Sequence, residues 1–162
     1  MGVKDNLKGM LEVNRRATGV LLDGITDEES LFRGEYNVNH IRWLTGHIVL
    51  HAYKRLKVMQ YKVVFPDGYE KLFDRGSELM DNTDEYPSID ILRKELDDVH
   101  EKTLKYLESL SDDDLEKSIE SHVPGQQTTV INAASFLCMH EFYHAGQIAT
   151  LRRVLGHERT FG

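Results

Sequence analysis

Cysteine is nearly missing from the chain. Cys138 stands alone among 162 residues, so no disulfide can close within it, and a bridge-free chain fits a reducing compartment. Proline is almost as scarce, with only Pro66, Pro87 and Pro124; helix interruptions are therefore few. Long apolar runs are lacking too. No stretch approaches the roughly 18 residues of a membrane span, and Met1-Gly2-Val3-Lys4-Asp5 has no apolar signal segment. The myristoylation pattern fails at Asn6, where Ser or Thr is wanted. The expectation is a cytoplasmic protein with no membrane partner. An excess of positive charge is also lacking: 20 Lys and Arg face 27 Asp and Glu, a formal net charge of −7. Such a chain is a poor match for a phosphate backbone, so no nucleic-acid partner is expected.

What is there is ordinary for one globular domain spanning 1–162: 40% hydrophobic and 29% charged residues. The three prolines fall between long periodic segments. The spacing predicts a first helix from about Val3 to Gly24, with Leu7, Met10, Leu11, Ala17, Val20 and Leu21 as its apolar positions. A second runs from about Asn37 to Tyr61. A third follows Ser88 as N-cap and ends near Leu110, and a fourth runs from Thr128 or Thr129 to Gly156. Ser111 reads as a new cap, with a short helical turn over Leu115 to Ile119. No strand is expected; Tyr61 to Phe65 is β-prone but short. The fold class is all-α, a four-helix bundle. Its loops near 25–36, 62–87 and 111–127 are long for a plain up-down bundle, so crossovers or a pocket rim are expected from them.

Chemistry concentrates in His140-Glu141-Phe142-Tyr143-His144. Two histidines four apart share one helix face, and here that face also carries Leu137, Ile148, Leu151 and Leu155. Polar rings on a core-facing stripe need a partner, and one metal ion would satisfy both. The bland alternative is a pair of core histidines bonded to other groups. On the second helix His47 can face the same core, and Gly46 beside it leaves room for close approach. His51, one turn on, is a fourth ligand, a supporting group or a rim residue; His40 is expected to be exposed. The string matches the zinc-protease HExxH with Glu141 as base, but the extended pattern wants Gly at 147 and His at 150, where Gln147 and Thr150 stand. A metalloprotease is therefore not expected. Glu141 remains an acid or base, or a helix-interface residue. Gln147 is a ligand-facing or an interhelix amide. Cys138 reads as buried filler, and Trp43, Tyr53 and Tyr143 as packing. Arg152 and Arg153 suit a helix C-terminus.

Asn39…Trp43-Leu44-x-Gly46-His47-Ile48, together with His140-Glu141-x-x-His144-x-Gly146-Gln147-Ile148, resembles the DinB-like (DinB/YfiT) superfamily over nearly the whole chain. The resemblance implies a four-helix bundle with an unusual chain path. It also implies a metal site of His47, His140 and His144 holding zinc, nickel or iron. Members with assigned chemistry are often thiol-dependent, and dimers are common. The implied function is a metal-dependent enzyme acting on a small molecule, a transferase using a low-molecular-weight thiol or a hydrolase. The alternative is a non-catalytic metal- or ligand-binding stress-response protein of the same fold.

Overall fold

The computed structural model describes residues 2–33, 38–80 and 83–161. In chain order its helices are α1 (Val3–Leu22), α2 (Ile41–Val58), α3 (Tyr69–Phe73), α4 (Ile89–Ser109), α5 (Asp112–Glu116) and α6 (Val130–Val154). The cap chemistry follows the sequence closely. Ser88 Oγ accepts the Ile91 amide, Thr129 Oγ1 accepts the Asn132 amide, and Ser111 and Asp114 form a reciprocal capping box. Gly156, with φ of 92°, supplies the left-handed residue that stops α6.

Three expectations need correction. Asn37, the expected start of the second helix, lies outside the described residues, and α2 itself begins at Ile41. Its N-cap is His40, whose Nδ1 accepts the Trp43 amide at 2.9 Å. His40 is thus buried, edge-on to Tyr86, not exposed. The third correction concerns 115–119. The helical turn sits earlier, in α5, and Ile119 belongs to a strand: β1 (Ser118–Glu120) pairs antiparallel with β2 (Gln127–Thr129). Three-residue strands are too short to show an alternation in sequence.

Cross-helix bonds fix the chain path. Against α4, α1 is antiparallel: Lys4 Nζ donates to the Leu110 carbonyl, His100 Nε2 to that of Leu11, and Arg15 pairs with Asp97. Against α6, α1 is parallel: Asn14 Nδ2 donates to the Cys138 carbonyl, and Arg152 Nη1 reaches the Leu21 carbonyl at 3.1 Å. α2 runs parallel to α4, since Tyr53 Oη donates to Asp98 and Tyr106 Oη to the Met59 carbonyl. Neighbours around the bundle are therefore α1, α4, α2 and α6, with α1 opposite α2 and α4 opposite α6. Parallel neighbours need a return connection along the bundle. The long segment between α2 and α4 provides one, and lays α3 against α2 on the way. Leu11, Leu22, Leu50, Leu92, Leu96 and Ile148 are buried where the four long helices meet. No helix among the described residues is long and apolar enough to cross a membrane.

Candidate metal centre

Antiparallel packing of α2 on α6 brings four imidazoles together. His47 and His51 come from consecutive turns of α2, His140 and His144 from consecutive turns of α6. Ring centroids of His47 lie 4.2 Å from His51, 5.0 Å from His140 and 4.8 Å from His144; His140 and His144 are 4.6 Å apart. Ligand atoms of His47, His51 and His140 all fall within 4.8 Å of one another. His144, expected in that trio, packs edge-on against His47 and His140 but is not one of the three whose nitrogens converge most closely. His51, left open between ligand and rim, takes that place.

Surrounding groups set the tautomers. His47 Nδ1 donates to the Phe73 carbonyl at 2.6 Å, which leaves Nε2 with a free lone pair aimed at His140 Nε2, 3.2 Å away. His144 Nδ1 donates to Gln147 Oε1 at 2.8 Å, again freeing Nε2. A second ring nitrogen held by a fixed acceptor is the support that metal-binding histidines commonly have. His51 differs. Its buried Nε2 has no hydrogen bond, although Asp74 Oδ1 lies 3.4 Å away, out of line. Burial pushes Asp74 up, but hydrogen bonds from Lys54 and the Arg75 amide carry it below its ordinary value.

Burial also keeps the imidazoles neutral. It lowers His47 and His51 to about 4, while burial and the neighbouring histidines lower His140 to about 2. Neutral imidazole is the form that binds a transition metal. The spacing fits one as well: two nitrogens on a tetrahedral ion with bonds of ~2.1 Å are about 3.4 Å apart, close to the 3.2 Å between His47 and His140. The donor set is all nitrogen, which suits zinc, nickel or iron better than calcium or magnesium.

Neighbouring side chains shape the site. Trp43 stacks on His47 at 4.6 Å between centroids, and Phe136 stacks on His140 at 5.4 Å. Gly46 has a definite cause: a Cβ there would overlap the Phe73 ring. The glycine expected to permit close approach thus admits the residue whose carbonyl holds His47. Glu141 points away from the histidines. Its Oε1 accepts from Thr18 Oγ1 at 2.8 Å on the α1–α6 interface, and burial pushes its carboxyl up. This is the helix-interface role, not that of a protease base. Cys138 is buried and its thiol pushed up to about 11 by burial, an unreactive filler. Tyr143 departs from its expected packing role: it is exposed, with its ring edge against His144. Arg152 binds the end of α1 rather than its own helix, while Arg153 donates to the His157 carbonyl.

The chain matches the model of the DinB superfamily over residues 10–148. Among solved structures, a DinB-like protein from Bacillus cereus is 18% identical, with a TM-score of 0.74 and 95% of each chain covered. YfiT from Bacillus subtilis, described as a probable metal-dependent hydrolase with an unusual four-helix bundle topology, is 17% identical. Its TM-score is 0.72, over 96% of this chain and 89% of that one. A conserved protein from Enterococcus faecalis is 16% identical, with a TM-score of 0.73 over 96% and 99%. No curated protein matches.

Proposed function

The chain belongs to the DinB superfamily, and from that premise we propose that it is a metal-dependent enzyme acting on a small molecule. One observation carries the proposal: four neutral imidazoles converge between α2 and α6, and the hydrogen bonds of His47 to Phe73 and of His144 to Gln147 use only Nδ1, leaving each Nε2 as an acceptor. Buried nitrogens facing each other across 3.2 Å are costly unless a cation or a shared proton lies between them.

The proposed ligands are His47, His140 and His144. His47 and His144 each have Nδ1 anchored, by Phe73 and by Gln147, so that Nε2 is presented in a fixed direction. His140 faces His47 directly. His51 is assigned to the rim, beside Asp74. Trp43 and Phe136 hold two of the rings by stacking and limit water on those sides. A divalent transition metal at a three-histidine site with an open position supplies Lewis acidity, lowering the pKa of thiol or water to near neutrality.

Two reactions use this chemistry. Transfer of a low-molecular-weight thiol to a small electrophile is the preferred one, in keeping with the family resemblance. Hydrolysis is the second, supported by the description of the B. subtilis neighbour. Protein purified without affinity nickel should hold close to one transition-metal ion per chain. It should also show a metal-dependent rate with a panel of thiols and a chloronitrobenzene, or with ester and amide substrates. Metal-free protein as isolated would sink the reading; bound metal with no rate on either panel would favour the non-catalytic binder.

A further inference from the structure

On α2 a single stripe continues past His47 and His51 to Arg55, at i, i+4 and i+8. Two arginines of the described residues are buried, and they are not alike. Arg42 has a counter-ion, its Nη2 lying 2.6 Å from Asp27 Oδ1. Arg55 is only 7% exposed, yet no carboxylate among the described residues pairs with it, and burial alone pushes its pKa down. Its contacts are of another kind. Nη1 lies 3.3 Å from His122 Nδ1, and the guanidinium carbon stands 4.0 Å above the centre of the Phe136 ring. Phe136 itself stacks on His140. The Arg55 charge is close enough to depress both His51 and His140.

A buried cation left without a counter-charge is costly. The chain carries 27 Asp and Glu, and among the described residues none is placed at Arg55. A counter-charge supplied by a ligand accounts for that omission. Its class follows from the surroundings. Phe136 covers one face of the guanidinium, which leaves the N–H edge for a planar, bidentate acceptor. One guanidinium edge is on offer, and a single carboxylate matches its fork. His122, exposed in the β1–β2 turn, marks the way in.

We propose that Arg55 binds the carboxylate of a small-molecule substrate whose reacting group lies at the imidazole cluster, with Phe136 as the flat apolar wall between them. The proposal rests on the metal-dependent reading above and adds the substrate class. It is tested by calorimetric titration of the zinc-loaded and the metal-free protein with benzoate and with benzamide, its neutral counterpart. Benzoate should bind both forms at least tenfold more tightly than benzamide. Arg55→Met should weaken benzoate tenfold or more while zinc content stays at the wild-type level, and Arg55→Lys, which keeps charge but loses the fork, should fall between. Equal affinity for benzoate and benzamide, unchanged benzoate binding in Arg55→Met, or binding that needs zinc each overturns it. Should Arg55→Met fail to fold, the benzoate–benzamide comparison on the unaltered chain decides. Absence of zinc uptake would defeat the metal reading alone, because the metal-free titration still tests Arg55.

Discussion

At the scale of single residues, the site turns on which imidazoles have a free, oriented nitrogen. His47 is the hub, touching the rings of Trp43, His51, His140 and His144 while its Nδ1 is tied to Phe73. Replacing His47, His140 or His144 by Ala should each lower zinc content of the purified protein sharply, read by elemental analysis. His51→Ala should keep it near the wild-type level. The reverse result, loss with His51→Ala and retention with His144→Ala, would install the tighter geometric trio as the ligand set. His140 and His144 were legible in sequence through their four-residue spacing on an apolar stripe. The tautomers were not, because Phe73 lies 26 residues from His47 along the chain. Nor was Arg55, whose significance is that no carboxylate among the described residues pairs with it, something only a three-dimensional neighbourhood can show.

Between elements, the decisive contact is the short α3 against α2. Phe73 fills the space above Gly46 and its carbonyl orients His47. Gly46→Ala forces these apart. It should destabilise the fold by ~1–3 kcal/mol, as overpacked cores do, and weaken zinc binding as well. A denaturant titration checks the first and a chelator competition the second; wild-type zinc affinity in a destabilised variant would mean that Phe73 does not hold His47. At the start of α2, His40→Ala removes an N-cap acceptor and should cost about 1 kcal/mol, in the usual range for lost caps. Helix extents were readable because caps and apolar periods are local. The β1–β2 hairpin escaped because its strands are three residues long, and its pairing brings together residues seven to eleven apart.

For the whole molecule, buried neutral histidines couple stability to pH. Burial lowers His40, His47 and His51 from 6.5 to about 4 in the folded chain. The unfolded chain therefore takes up more protons between these values, so stability is full above pH 6.5 and is lost as pH falls toward 4. The urea midpoint of chelator-treated protein should decline across that window; a flat profile would show that the cluster is not held neutral. Bound metal should raise the thermal midpoint, since it binds only the folded chain and ties α2 to α6. Met10, Val13 and Val20 on α1 and Met139 and Phe142 on α6 are exposed, and the prediction is that a dimer of the kind the resemblance implies buries them. Light scattering on Phe142→Glu should then report a monomer where the unaltered chain reports a dimer.

By itself the sequence determined the four long helices, the caps at Ser88, Ser111 and Thr129, the all-α class and the presence of histidines on two core-facing stripes, because those properties depend on residues within a turn or two of each other. Tertiary structure alone decided the order of helices around the bundle, the orientation of each imidazole and the diversion of Glu141 to Thr18. It alone also left Arg55 buried with no carboxylate beside it among the described residues. These depend on which distant segments share a dielectric and a hydrogen bond, and local spacing carries no record of that.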